Sequence, residues 1–197
     1  MVDNQKTQQM IAFFVDKAQS ALTQAHLMSL LYLSDRQGLR SHRDTISGDI
    51  LAATPAYPVL FDTMMKMIDG GGRQGWGDLI YEGNRDLMSL RHPIHRKNLF
   101  LISDSEIEVM EVVWREYGHY NEAGIARHVR DNCSEWRASR NSDMGDFHIS
   151  IKSIFAAFGW VSPEPESSSR SILRSPTATI DDKAIEIVPT SVIASLP

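Results

Sequence analysis

His92 and His95 stand three residues apart in the basic run Arg91 to Lys97, a spacing that could turn two imidazoles toward one metal ion. A zinc site takes three or four ligands, and neither cysteine nor a carboxylate group adjoins them. Pro93 between them marks a loop, so the pair reads as part of a solvated basic loop. Cys133 follows His128 by five residues. A nucleophilic cysteine needs a base held against it and a depressed pKa; the sequence supplies neither, and a buried structural thiol is expected. The run Gly70-Gly71-Gly72-Arg73-Gln74-Gly75 has the glycine density of a phosphate cradle. Such a cradle lies between a strand and a helix start, whereas these glycines follow a predicted helix and no Gly-Lys-Ser or Gly-Lys-Thr is present. A connector is expected. Asp104, Glu106, Glu108, Glu111 and Glu116 could pair carboxylates for acid–base work, but along one amphipathic segment they read as a solvated face, with Asp104 and Glu106 at the favourable helix start. Trp76, Trp114, Trp136 and Trp160 read as core or domain-edge anchors; an exposed one would suggest a partner contact. No nucleophile elbow, Walker loop, dinucleotide fingerprint or metal quartet emerges. The expectation is a chain with no cofactor and no metal that is not an enzyme, a small hydrolase using the carboxylates being the lesser alternative.

The elements that would hold these residues are mostly helical. The apolar period predicts a first helix over about 7–20, with Met10, Phe14 and Ala18 four apart and Ile11 and Val15 beside them. Thr23 is placed to N-cap a second helix over 24–40, with Leu27, Leu30, Leu31 and Ser34 inward. Asp35, Arg36 and Arg40 are expected outside or at the edge, and Gly38 marks an early end. Ser47-Gly48-Asp49 has turn chemistry, and an extended piece over 50–54 follows. Pro58 suits the first turn of a third helix reaching Ile68, stopped by Gly70 to Gly72. Leu79 and Tyr81, then Leu87 and Ser89, flank a turn and predict a β-hairpin; 98–102 suggests a further short strand. Ser103 and Glu106 form a capping box for a helix ending at Gly118. Helices over about 121–131 and 147–158 complete the predicted body. The fold class expected is mainly α with a small β-element: one helical domain over 5–160 with a β-hairpin insertion. Residues 161–197 then form a flexible Ser/Pro-rich linker and a short apolar segment, 184–196, suited to edge-strand docking or partner binding.

Composition narrows the partner. With 42% apolar residues the chain can bury a core, and its net charge of −5 leaves no surplus for a phosphate-neutralising face, which argues against nucleic acid. One cysteine excludes an internal disulfide and suits a reducing cytoplasm. No stretch approaches the roughly 20 apolar residues of a membrane span.

Leu30, Leu31, Tyr32, Asp35, Arg36, Ile46, Ser47, Gly48 and Asp49 together resemble the opening block of the Panacea, or SocA-like antitoxin, domain: a Leu-Leu-Tyr helix with an Asp-Arg pair, then an Ile-Ser/Thr-Gly-Asp turn. Tyr57-Pro58-Val59 is similar to the family's Gly-Pro-Val, with tyrosine in place of glycine. The stretch 102–118 resembles its Leu-Ser-x-Ser-Glu helix ending in Tyr-Gly, and His128 and Trp136 fall near its later His and Trp. The resemblance implies a bacterial or phage-associated antitoxin that binds a cognate protein toxin, one branch of the family delivering its toxin to a protease; it carries over no catalytic residue. Loops on a scaffold concentrate binding residues, which places the expected contact on 41–58, on the hairpin around 81–87 and on the tail. Arg36, Arg40, Asp49, Tyr57 and Arg73 are the expected partner-binding residues, Arg and Tyr being favoured interface anchors. Tyr32 and Tyr57 could instead cap the core. A DNA-binding autoregulator is the alternative reading; it lacks a clear helix-turn-helix spacing and is opposed by the acidic balance.

Overall fold

Helix α2 (Gln24–His42) is the element around which everything else is placed, and its sequence dictates that position. Residues 26–35, mostly apolar, are buried without a break, and a helix buried on every side lies in the middle of a protein. It packs against α1 (Asn4–Ala18), α4 (Asp104–Tyr117), α5 (Glu122–Asn132), α7 (Ile151–Ala157) and strands β1 (Leu22–Thr23) and β3 (Pro58–Leu60). The computed structural model describes residues 4–68, 78–83, 86–141 and 147–160. Among these, seven helices and two small antiparallel sheets make a mainly α protein with a small β-element. The glycine stop at 70–72, Arg73, Trp76 and the tail segment 161–197 lie outside the described residues.

Local chemistry sets the helix ends. Thr23 pairs with Leu87 as part of β1 and also accepts a hydrogen bond from the His26 amide, so one residue closes a strand and opens α2. Ser103 and Glu106 form the expected capping box at the start of α4, and Asn121 caps α5 by accepting from the Gly124 amide. Met10, Ile11, Phe14 and Val15 form the buried stripe of α1, which is tied to α4 by the ion pairs Lys6–Glu106 and Lys17–Glu111.

Several expectations are corrected. Gly38 does not end α2; the helix runs four residues further, to His42. A Cβ at Gly38 would stand 2.8 Å from the Asp44 carbonyl oxygen, so the glycine is there to let the following loop lie against the helix. Pro58 opens a strand, not a helix: β2 (Leu51–Ala53) and β3 pair antiparallel with Ala53 opposite Pro58, an end position where a missing N–H is tolerated. Helix α3 begins three residues later (Phe61–Ile68). The segment 147–150, expected in the last helix, is extended and lies along β2: the Ala53 amide donates to the Phe147 carbonyl and the Ile149 amide to the Leu51 carbonyl, each at 2.7 Å. The hairpin β4 (Ile80–Glu82) and β5 (Leu87–Leu90) forms and β1 extends it, but it buries Ile80 and Met88 rather than Tyr81 and Leu87. Residues 98–102 are not a strand. Arg96 holds them in turns by donating to the Leu99 and Ile102 carbonyls at 2.7 and 2.9 Å. A short helix, α6 (Ser134–Arg140), follows α5 directly and brings Trp136 into the core.

Candidate functional site

The residues of the Leu30 to Asp49 block meet in the interior. Asp35, expected at the edge of α2, is fully buried, because the 44–49 loop covers α2 there. Its Oδ1 accepts from the Ile46 and Ser47 amides, both at 2.8 Å, and its Oδ2 from the Ser47 hydroxyl. The Ser47 Oγ in turn accepts from the Asp49 amide at 3.0 Å. Gly48 between them has φ 68°, a left-handed conformation that favours glycine. The Asp49 carboxylate then turns to the start of α3, accepting from the Asp62 and Thr63 amides at 3.0 Å and from the Thr63 hydroxyl at 2.7 Å. A side chain distant in sequence thus does the work of an N-cap, satisfying orphan amides with a negative charge at the positive end of the helix. The two carboxylates, linked through Ser47, pin the loop to α2 at one end and to α3 at the other. Burial pushes the Asp35 carboxyl up to about 6, against the lowering pull of its bonds to Ser47 and Ile46.

A second buried group joins α2 to α6. Glu135 is fully buried at its side chain; its Oε1 accepts from the Tyr32 hydroxyl at 2.7 Å and from Arg36 Nε at 2.6 Å, while Oε2 has no hydrogen-bond partner. Burial, with the Glu135 carboxylate adding to it, raises the Tyr32 hydroxyl well above its ordinary range. Cys133 is buried beside this group, and burial pushes its thiol up to about 12 despite Arg36. At neutral pH the sulfur is protonated and Glu135 Oε1 is already shared by two donors, so this cluster braces helices. Of the acidic residues of α4, Asp104 pairs with Arg96, Glu106 with Lys6 and Glu111 with Lys17 at the surface. Burial pushes the Glu106 carboxyl up, but the Lys6 ammonium and the Ser103 amide outweigh it and hold it below the usual range.

Apolar surface gathers elsewhere. Ile50, Phe61, Phe147 and Ile151 are all large and all more than two-fifths exposed. Two pockets are lined by neighbouring stretches of β2 and the 147–152 segment. One, of about 230 Å³, is lined by Pro55, Phe61, Met64 and Phe147 among others; the second, of about 430 Å³, includes Gly48, Ile50, Ser150 and Ile151. Ile50 and Phe61 adjoin through the bond from the Phe61 amide to the Ile50 carbonyl, 2.8 Å. A cluster of this kind is what protein partners cover.

The expected partner-binding residues divide accordingly. Asp49 spends its carboxylate inside the domain, and Arg36 spends Nε on Glu135. Tyr57 is half-buried at the β2–β3 turn, where its carbonyl accepts from the Thr54 amide and hydroxyl. Arg40 is exposed, with Phe158 beneath it, and Arg73 lies outside the described residues. Residue patterns missed Glu135, Ile50, Phe61 and Phe147. Nothing local marks Glu135 as buried. Ile50 opens the apolar run 50–53 and Phe61 closes the apolar run 58–61, and sequence reading assigns such runs to the core by default. Among the described residues no three His, Cys, Asp or Glu side chains converge as a metal site, and no helix is long and apolar enough to cross a membrane.

Residues 27–137, from α2 to α6, match the family model described as "Antitoxin SocA-like, Panacea domain". No curated protein and no solved structure matches the chain.

Proposed function

The chain belongs to the SocA-like Panacea antitoxin family, the match covering more than half its length, and from that premise we propose that it neutralises one cognate protein toxin by direct contact and is not itself an enzyme. The single observation that carries the surface assignment is the set of exposed apolar side chains Phe61 and Phe147 at one pocket and Ile50 and Ile151 at a second. A buried apolar centre with a polar rim is the ordinary anatomy of a protein interface. The carboxylate locks support this division of labour. By holding the 44–50 loop to α2 and α3 they fix Ile50 and Phe61 before the partner arrives, which lowers the ordering cost of binding. Delivery of the bound toxin to a protease would use the same contact and add a second one.

Co-expression with the product of the adjoining reading frame tests this. The toxin alone should arrest growth, and this chain should restore growth and co-purify with the toxin. Harmlessness of the neighbour alone, together with absence of a complex, sinks the reading. The toxin's level separates the two modes: it is unchanged under inhibition by contact and falls under delivery to a protease.

A further inference from the structure

Helix α2 carries Arg36 and Arg40 four residues apart, with Arg43 at its C-cap three residues on, and aromatic rings from α7 and Trp160 lie against all three. The Arg36 guanidinium carbon is 4.6 Å from the Phe158 centroid and that of Arg40 is 6.0 Å from the same ring. Arg43 is 5.7 Å from Phe155 and 3.5 Å from Trp160. A guanidinium stacked on a ring is attracted by the ring face and held planar, while its N–H edge stays available.

Arg36 already uses its fork on Glu135. Arg40 and Arg43 are exposed, and among the described residues neither has a carboxylate within ion-pair distance, whereas Lys6, Lys17, Arg36 and Arg96 each have one. The sequence neighbour Asp44 has Oδ1 engaged by the Thr45 amide, and exposed His42 adds no negative charge. An acidic chain of net charge −5 thus presents, side by side, two ring-stacked arginines with no compensating carboxylate among the described residues. Helix α7 makes this face continuous with the apolar cluster: Ile151 at its start borders one pocket, and Phe155 and Phe158 carry the arginines.

We propose that this arginine–aromatic ladder receives an acidic face of the partner protein, with aspartate or glutamate carboxylates accepting paired N–H bonds from Arg40 and Arg43. The proposal rests on the antitoxin reading and adds to it the partner's surface chemistry. Stacking pre-sets the forks, so little freedom is lost when a carboxylate arrives. Opposite charge on the partner also accelerates encounter, and this acceleration falls as salt rises. A phosphate backbone would suit the same forks, but nucleic-acid binding needs a basic face that neutralises many phosphates, whereas a pair of carboxylates needs only these two arginines.

The test uses the full chain and the purified product of the adjoining reading frame. The association rate should fall steeply between low and physiological salt. Arg40→Glu with Arg43→Glu should lower that rate by about tenfold at low salt and flatten its salt dependence. Should the double variant not fold, by far-UV circular dichroism, the salt titration of the unaltered chain with Arg40→Gln and Arg43→Gln singly carries the same comparison. If the unaltered chain binds and the variants bind at the same rate with the same salt dependence, the ladder proposal alone fails. Binding of a single-stranded oligonucleotide at physiological salt, lost on substitution, would overturn it in favour of nucleic acid. If the unaltered chain does not bind the neighbour at all, the antitoxin reading itself fails.

Discussion

Asp35→Ala is expected to cost about 3 kcal/mol of folding stability near pH 5, roughly 1 kcal/mol for each of three lost hydrogen bonds. The Ile46 and Ser47 amides and the Ser47 hydroxyl would all lose their acceptor in a fully buried place. Asp35→Asn keeps an acceptor for the amides and should cost far less. The pH dependence follows from the raised carboxyl, about 6 against an ordinary 3.8, with burial as its main cause. A group whose pKa is higher in the folded state binds its proton more tightly there. Its contribution is fully present below the lower value and is lost as pH rises through the higher one. The full difference corresponds to about 3 kcal/mol, of which roughly half remains to be lost above pH 5. On going from about pH 5 to about pH 8, Asp35→Asn should therefore gain stability relative to the unaltered chain, because the amide never ionises. Urea midpoints of the three proteins at both pH values check this. An unaltered chain that gains on Asp35→Asn as pH rises would show that the hydrogen bonds outweigh burial.

Ile50→Glu with Phe61→Glu should abolish toxin neutralisation while leaving the fold in place. Both side chains are more than two-fifths exposed, 46% and 42%, so neither is a principal support of the core. A carboxylate at the centre of an apolar interface must be desolvated without a partner, and the loss of affinity is expected on the order of 100-fold or more. Phe100→Glu is the control. Phe100 is 69% exposed but precedes α4, next to Leu101, whose amide is held by Gln9 of α1, away from the β2–α3–α7 cluster. Growth rescue and co-purification should be lost in the double variant and kept in the control, with circular dichroism unchanged in both.

The contrast between these variants shows what was legible in the sequence. Helix starts set by local chemistry were readable: Thr23 and Ser103 cap as their spacing dictates. The buried stripe of α1 followed from period, and the hairpin was readable from its turn, although the period picked Tyr81 and Leu87 where the structure buries Ile80 and Met88. Elements fixed by tertiary contact were not readable. Strand β1 is two residues long and exists because Leu87 and Met88 pair with it. Helix α6 has only Trp136 as a large apolar anchor, too little for a periodic signal. Pro58 carries the same φ preference in a strand end as in a first helical turn, and only its pairing with Ala53 decides. The site divides in the same way. The Asp-Arg pair and the Ser-Gly-Asp turn carried the family resemblance, but their positions suggested surface. Whether a charged residue is exposed depends on what folds over it; a loop covers Asp35, and α6 brings Glu135 to Arg36. The block that identifies the family is therefore an internal brace, and the surface proposed for the partner is made of apolar residues whose exposure no local pattern reveals.

Amide hydrogen exchange on the free chain and on its complex with the adjoining gene product tests the central division most directly. Residues 30–36 and 134–136, which hold the buried braces, should be protected in the free chain and little changed on binding. Residues 48–68 and 147–152 should gain protection when the toxin binds. Binding that leaves 48–68 and 147–152 unchanged while the α2–α6 brace opens or tightens would contradict the account, because the buried carboxylates would then be part of the working site.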